Sequence, residues 1–168
     1  MNVNRSISII IPAYNEELHI IPTLNTVLEG CQNLDIEHEV IVVNDGSTDK
    51  TGDLVRDFME NKSLNLRLIE NPSNLGFGGA YREGVLASKM KYVTLVAGDN
   101  CITSESVTSV CSNAGKADVL ITYVTNPEVR KFRRRFLSRL FVFLINATFG
   151  YNIKYYNGHN IFPPRALQ

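Results

Sequence analysis

The chain has 168 residues, of which 44% are hydrophobic and 20% are charged. This balance is typical of a globular domain that is large enough to bury its own core. Lys and Arg together number 17, as do Asp and Glu, and a neutral chain has no general attraction to nucleic acid. We therefore expect a single domain over residues 1–168 that has no nucleic-acid partner.

The cysteines and the first residues indicate the compartment. Cys31, Cys101 and Cys111 form an odd set without CxxC spacing, which favours reduced thiols over disulfides or a zinc site. The first six residues lack the apolar core of a signal peptide, and no apolar run approaches the roughly 20 residues of a membrane span. These features predict a cytoplasmic domain.

The hydrophobic pattern predicts strands and helices in alternation. The predicted strands cover residues 7–11, 40–43, 65–69, 92–96 and 118–123, and the predicted helices cover residues 17–30, 51–59, 80–88 and 104–113. Pro12 is expected to end the first strand, and Gly30 is expected to end the first helix. Alternation at this short spacing indicates βαβ units and a mostly parallel sheet.

Residues 40–49 place a carboxylate at the end of a buried strand. Residues 40–43 are all β-branched and apolar, which suits a strand buried on both faces, and a polar loop follows them directly. Ligands of open α/β sheets bind outside the carboxyl ends of the strands, which makes Asp45 a candidate ligand contact. The alternative, which this segment alone leaves open, is that Asp45 and Asp49 only cap a turn and the following helix.

Two further polar loops are predicted at the same edge of the sheet. Residues 12–16 follow the first strand, and Asp99 follows the fourth strand. The carboxyl ends of parallel strands share one edge, so the three loops should converge there. A nucleotide needs carboxylates for the donors of its base or ribose and a cation for its phosphates, so this edge suits a nucleotide.

The glycine-rich stretch 75–80 does not match a dinucleotide-binding fingerprint. Tyr81 stands where the third glycine would be, and a long loop instead of a strand precedes the stretch. We expect these glycines to permit a close approach of backbone to ligand or of helix to sheet.

Four segments in this order resemble the family 2 glycosyltransferases with the GT-A fold, and in particular the dolichol or polyprenyl phosphate sugar synthases. The segments are 12–16, 43–49, 74–80 with Gly84, and 92–100. The resemblance extends from Ser6 to Leu167 and implies a Rossmann-like α/β sandwich with a mostly parallel central sheet. Family members usually continue further, so we expect a catalytic domain that is short or truncated at its carboxyl end.

The resemblance also implies a reaction and roles for individual residues. A sugar would move, with inversion, from a nucleoside diphosphate sugar to a polyprenyl phosphate or to a hydroxyl of a glycan acceptor. Asp45 would hold the base or ribose, and Asp99 would be the last carboxylate of the Asp-x-Asp motif that binds Mg²⁺ or Mn²⁺. The implied nucleotide-binding residues are Pro12, Ala13, Tyr14, Asn15, Glu16, Asp45, Gly76 and Gly79.

Ala97 departs from the family pattern, because it occupies the position of the first carboxylate of that motif. Mg²⁺ commonly binds through one or two carboxylates plus substrate phosphates and water, so Asp99 alone is compatible with metal use. The alternative is a domain that binds a nucleotide sugar without transferring it. Both interpretations remain open at this point, as do the sugar, the base and the oligomeric state.

Residues 130–145 form a basic and then apolar segment. Six Lys or Arg residues and no acid lie between positions 129 and 139, and an apolar run follows them. As a helix, this segment would suit contact with a membrane surface; the alternative is a helix packed on the domain, with its arginines solvated or on the donor diphosphate. In the related lipid-phosphate enzymes an Arg and a Ser one turn apart serve the acceptor phosphate, and Arg134 and Ser138 match that spacing.

Overall fold

A computed structural model describes residues 5–32, 34–60, 65–123, 132–156 and 158–167, and it describes the side chains in all of these ranges except residues 132–135. The chain divides into two compact units. One unit contains the residues up to Leu120 and those from Ile161 onward, and the other is Ile121–Asn160. The single domain expected from the sequence therefore stays a prediction.

The first unit is built on a five-stranded sheet in the order β3-β2-β1-β4-β5. The strands are β1 (Ser6–Ala13), β2 (Glu37–Asp45), β3 (Leu66–Asn71), β4 (Tyr92–Leu95) and β5 (Ile161–Phe162). The first four are mutually parallel, and β5 pairs antiparallel with β4. All eight residues of β1 are buried, as the continuous apolar run of a central parallel strand predicts.

Helices cover both faces of this sheet. They are α1 (Ile20–Cys31), α2 (Thr51–Glu60), α3 (Gly76–Ala87) and α4 (Ser104–Cys111). Side chains alternate along β1, so Ile9 packs in one core cluster with residues of α1, α2 and α4, whereas Ile10 packs in the other with Ala80 and Val85 of α3. The sequence-based prediction of an α/β sandwich with a mostly parallel sheet is therefore confirmed.

The prediction that Pro12 ends the first strand is wrong, because β1 continues to Ala13 and Pro12 pairs with Val43 of β2. The carbonyl oxygens of Ile10 and Pro12 both accept hydrogen bonds from the β4 side. The missing N–H of Pro12 therefore faces β4, whose regular pairing with β1 has already ended at Leu95. The proline removes no hydrogen bond between β1 and β2, which is why a central strand tolerates it here.

Gly30 does not end the first helix, since α1 runs on to Cys31. A Cβ atom at Gly30 would lie 2.7 Å from the carbonyl oxygen of Ser104 and 2.7 Å from Cβ of Val107. The Thr108 hydroxyl also donates a hydrogen bond of 2.7 Å to the carbonyl of Gly30. The glycine is therefore explained by the close packing of α1 on α4.

Two more predicted elements differ from the structure. The third helix begins at Gly76 instead of residue 80, so three of the glycines lie inside its first turns. The predicted strand at 118–123 is wrong, because in this stretch only Leu120 forms a bridge, to Ile161. Leu120 thus forms one bridge at the edge of the sheet, and the alternating apolar residues around it form no strand of their own.

The second unit contains the helix α5 (Phe132–Phe149), which confirms a helix for most of the basic segment. Asn146 holds the chain after the helix, because its side-chain amide donates to the carbonyl of Ile153 and its Oδ1 accepts from the Tyr156 hydroxyl. Arg130 and Lys131 lie outside the described residues. Within the described parts of the chain, no helix is both long and apolar enough to cross a membrane.

Candidate functional site

A cleft of about 330 Å³ opens at the carboxyl ends of β1, β2 and β4. It lies where the sequence predicts three converging loops. The residues that line it are Pro12, Ala13, Tyr14, Glu16, Asp45, Asn74, Phe77, Ala97, Gly98 and Asp99. The loop after β3 thus contributes as well, through Asn74 and the first turn of α3.

The loop after β1 is fastened to the loop after β2. The backbone N–H of Asn15 donates to the Ser47 hydroxyl at 3.0 Å, and Oδ1 of Asn15 accepts from the N–H of Thr48 at 2.9 Å. The N–H of Glu16 donates to the Thr51 hydroxyl at 2.8 Å. Asn15 has a φ of 55°, a left-handed conformation that asparagine tolerates better than most residues. These bonds bring Tyr14 and Glu16 to the cleft.

Asp45 is nearly completely buried, with 2% of its surface exposed, although it lines the cleft. Its Oδ1 accepts hydrogen bonds from the side-chain amide of Asn71 at 2.7 Å and from the backbone N–H of Leu75 at 3.0 Å. The carboxylate therefore holds the turn that precedes α3. The capping of the following helix is found at Asp49, whose Oδ1 accepts from the N–H of Thr51 at the start of α2. Asp45 instead supports the more distant turn before α3 and forms part of the cleft wall.

Asp99 lies in the loop after β4 and is exposed to solvent. Its Oδ1 accepts from the backbone N–H of Cys101 at 3.2 Å. The loop itself is anchored to the sheet and to α1, because the N–H of Gly98 donates to the Pro12 carbonyl and the Thr23 hydroxyl donates to the carbonyl of Gly98. Hydrogen bonding to Asp99 and its negative charge raise the pKa of the Cys101 thiol.

Within the described ranges, the lining of the cleft contains three carboxylates, from Glu16, Asp45 and Asp99, and no Lys or Arg. Oε2 of Glu16 lies 2.9 Å from Nδ1 of His19, so a histidine stands beside one of them. Among the described residues, no group of three or more His, Cys, Asp or Glu side chains is arranged to hold a metal ion by itself. A bound anion would therefore need a cation from outside this lining.

Most of the residues expected to bind nucleotide surround this cleft. Pro12, Ala13, Tyr14, Glu16 and Asp45 line it. Asn15 braces the adjacent loop, and Gly76 and Gly79 lie in the first turns of α3 without contributing to the lining.

Asn74 and Phe77 are residues of the lining that the sequence interpretation did not select. In the sequence interpretation Asn74 belongs to the segment 74–80 that carries the family resemblance, but its side chain is given no role. Because the predicted helix began four residues too late, Phe77 was expected in a loop, whereas it lies in the first turn of α3. Gly76 starts this helix with a positive φ, a feature that only the structure reveals.

Arg134 and Ser138 both belong to α5, in the second unit. They are four residues apart in one helix and so lie one turn apart. Ser138 is half-buried, and the side chain of Arg134 lies outside the described residues. Their assignment to an acceptor phosphate remains a prediction.

The mostly parallel sheet with helices on both faces and a carboxylate-lined cleft at its carboxyl edge defines the class, which is that of open α/β domains whose ligands bind outside the carboxyl ends of the strands. Residues 8–167 match the model of the family described as Glycosyl transferase family 2, and the chain belongs to that family. The family resemblance inferred from the sequence is therefore confirmed.

Relatives and solved structures agree with this family. A dolichyl-phosphate beta-glucosyltransferase from Dictyostelium discoideum is 35% identical over 102 residues, which cover 57% of this chain and 31% of that protein. The crystal structure of S. aureus TarS 1-349 has a TM-score of 0.63 and 25% identity, and the match covers 96% of this chain and 48% of that one.

A third match extends the fold comparison. The mannosyltransferase PcManGT from Pyrobaculum calidifontis, solved with GDP-Man and Mn²⁺, has a TM-score of 0.62 at 24% identity, over 76% of this chain and 38% of that one. These structures confirm the GT-A fold. In each case the matched region covers less than half the length of the other protein.

Proposed function

We propose that this chain is the donor-binding part of an enzyme that transfers a sugar from a nucleoside diphosphate sugar to a polyprenyl phosphate or a glycan hydroxyl, with inversion. The observation that carries the proposal is the cleft at the carboxyl edge of the sheet, with its three carboxylates. Membership of glycosyl transferase family 2 supports the reaction class. The dolichyl-phosphate glucosyltransferase among its relatives supports the lipid-linked acceptor.

The charge of the cleft supports use of a divalent cation. In the part of the lining that the structure describes, a diphosphate would meet three carboxylates and no basic side chain, so it would be repelled without a positive ion between them. Mg²⁺ or Mn²⁺ fits Asp99, because such an ion takes one or two carboxylates and completes its shell with phosphate oxygens and water. When bound, the ion would neutralise the charge that develops on the leaving diphosphate. The Mn²⁺ in the mannosyltransferase structure supports this choice.

The chain's own residues would bind and orient the donor. Asp45 is held rigidly by Asn71 and Leu75, and a rigid carboxylate can select the hydrogen-bond donors of a base or ribose. Pro12, Ala13 and Tyr14 supply the apolar side of the cleft. A phosphate acceptor is already anionic, so it requires no strong base among the residues of the site.

The acceptor is proposed to meet the chain through α5. Arg134 and Ser138 lie one turn apart in this helix, and an Arg paired with a hydroxyl suits a phosphate group. Among the described side chains of α5, seven large apolar ones are more than two-fifths exposed: Phe136, Leu137, Leu140, Phe141, Phe143, Leu144 and Phe149. An exposed apolar helix face beside many cations suits a membrane surface that carries the lipid acceptor.

Calorimetric titration with UDP- and GDP-sugars, each with and without Mn²⁺, tests the donor proposal. We expect one nucleotide sugar to bind in the presence of Mn²⁺ and Asp99→Asn to lose the metal-dependent part of that affinity. Release of free nucleoside diphosphate on addition of a polyprenyl phosphate would support transfer. Metal-independent binding without any turnover would instead support a nucleotide-sugar-binding domain, and absence of binding to every donor would contradict both.

A further inference from the structure

Phe77 is a large apolar side chain that the fold leaves exposed at the cleft. It lies in the first turn of α3 and lines the cleft, yet 57% of its surface is exposed. It belongs to neither core cluster. The contacts between aromatic rings in the described parts of the chain do not involve it. Packing within the protein therefore gives no reason for a phenylalanine here, whereas a ligand that covers the ring would remove apolar surface from water.

The residues beside Phe77 leave its ring accessible. Gly76 and Gly78 precede and follow it, and a Cβ atom built on either glycine would meet nothing within 4 Å. A flat ligand that approaches the ring would thus meet no side chain from either neighbour in the sequence. Besides allowing close packing of the backbone, the glycines therefore leave the ring of Phe77 accessible.

The backbone that carries Phe77 is held in place from the cleft side. Asp45 accepts a hydrogen bond from the N–H of Leu75, and Oδ1 of Asn74 accepts one of 2.7 Å from the N–H of Gly76. The start of α3 is therefore fixed relative to the carboxylate of Asp45. A group that hydrogen-bonds to Asp45 or Asn74 would lie in the same cleft as the ring of Phe77.

A second aromatic residue lines the same cleft from a different loop. Tyr14 lines the cleft with 47% of its surface exposed and begins the connection to α1. Phe77 belongs to α3, which packs on the other face of the sheet. A planar ring with polar edges would suit this cleft, because its faces could contact the aromatic side chains and its edges could bond to carboxylate and amide oxygens.

We propose that Phe77 is the residue that stacks on the nucleobase of the donor and that it sets the preference of the cleft for nucleotides over base-free diphosphates. This proposal rests on the proposed donor function and adds to it a recognition residue. Base-aromatic stacking typically contributes enough that removal of the aromatic ring weakens binding by about tenfold or more.

The test compares Phe77→Ala, Phe77→Tyr and wild type for binding of UDP, GDP and inorganic pyrophosphate, all with Mn²⁺, by calorimetry. Phe77→Ala is expected to weaken binding of the preferred nucleotide by about tenfold and to leave pyrophosphate binding unchanged. Phe77→Tyr retains an aromatic face and is expected to bind the nucleotide within about threefold of wild type. Leu18→Ala is the matched control, because Leu18 is 77% exposed and does not line the cleft.

Two results would overturn the proposal. One is a folded Phe77→Ala protein that binds the nucleotide as tightly as wild type, which leaves the donor function intact and removes the stacking role. The other is an equal loss of nucleotide and pyrophosphate affinity, which would mean that Phe77 supports the shape of the cleft and does not recognise the base. A wild-type chain that binds no nucleotide would instead refute the donor function, and the stacking role with it.

Discussion

At the scale of single residues, Asp45 combines a position in the cleft wall with two hydrogen bonds to the turn before α3. These properties can be separated by the choice of substitution. An asparagine keeps a carbonyl oxygen for Asn71 and Leu75 but loses the charge and one acceptor. An alanine removes the oxygen that accepts from Asn71 and Leu75, so the backbone N–H of Leu75 loses this hydrogen bond.

We expect Asp45→Ala to lower the free energy of unfolding by about 1–3 kcal/mol, the usual cost of leaving a buried group unsatisfied. Asp45→Asn should stay within about 1 kcal/mol of wild type in urea denaturation and lose nucleotide affinity. If Asp45→Asn binds the nucleotide normally, the carboxylate has only the structural role. Glu70→Gln, at an exposed residue outside the lining, is the control.

Ala97 lies in the lining together with Asp99 but offers no metal ligand. A second carboxylate at this position would allow a divalent ion to bind without help from a diphosphate. We expect Ala97→Asp to raise the affinity for Mn²⁺ in the absence of nucleotide by about tenfold or more. The electron paramagnetic resonance signal of free Mn²⁺ measures this directly. The control is Ala97→Ser, and an unchanged signal with Ala97→Asp would exclude residue 97 from the metal position.

At the scale of elements, the contact between α1 and α4 depends on Gly30. Alanine is intrinsically the better helix residue by about 1 kcal/mol, but its methyl group would collide with the backbone of Ser104 and the side chain of Val107. Packing should therefore override propensity. The same substitution at Gly78, where a Cβ meets nothing within 4 Å, measures the difference in helix propensity without a change in packing.

We expect Gly30→Ala to destabilise the protein by about 1–3 kcal/mol, because overpacked cores lose energy of this size. Gly78→Ala should be neutral or more stable by up to about 1 kcal/mol. Urea denaturation of both variants gives the comparison. A stabilised Gly30→Ala protein would mean that α4 moves away at little cost.

The predicted elements that failed share a dependence on neighbours that are distant in the sequence. Pro12 is tolerated in a central strand only because β4 has stopped pairing there. The stretch 118–123 is not a strand because its neighbour in the sheet, β5, has only two residues to pair with. Helices such as residues 51–60 were predicted closely, because their apolar spacing and their start at Asp49 and Thr51 are local signals.

At the scale of the whole molecule, an ion pair between a buried glutamate and a partly buried arginine joins several elements at the amino-terminal edge of the sheet. Glu39 of β2 accepts hydrogen bonds from the Ser8 hydroxyl and the N–H of Lys89. It also pairs with Arg67 of β3 at 2.8 Å, and Arg67 donates to the carbonyl of Ala87 at the end of α3. Burial opposes ionisation of Glu39, but these bonds and the charge of Arg67 outweigh it and hold the pKa below its ordinary value of 4.5.

A carboxyl whose pKa is lowered by folding stabilises the protein fully above its ordinary pKa, and that contribution is lost as the pH falls through the lower, folded value. At pH values below 4.5, we expect the melting temperature of the wild type to decrease with falling pH more steeply than that of Glu39→Gln. At neutral pH, Glu39→Gln should be less stable by about 1–3 kcal/mol, because the partly buried Arg67 loses its charged partner. Glu83→Gln breaks only an exposed pair and should cost less than about 1 kcal/mol; equal pH profiles for wild type and Glu39→Gln would contradict the prediction.

The charge of the whole chain is distributed unevenly. The net charge is zero, although the basic segment from position 130 to 139 contains six cations and no acid, so the rest of the chain is net negative. We expect co-sedimentation with vesicles that contain anionic lipid, weakened by salt, and little with zwitterionic vesicles, since each cation near an anionic surface contributes about 1 kcal/mol. Replacing Phe136 and Phe143 by Ser should weaken binding, whereas Leu18→Ser should not. Equal binding to both kinds of vesicle would refute the charge-based contact.

The sequence by itself determined the alternation of strands and helices and the three polar loops at the carboxyl ends of β1, β2 and β4. Apolar periodicity and turn residues are local, so they can be read without knowing the fold. The tertiary structure decided which loop residues line the cleft, why Gly30 is a glycine, and that Phe77 stands exposed beside Asp45. These features depend on the order of the strands and on contacts between residues far apart in the chain, which no local pattern encodes.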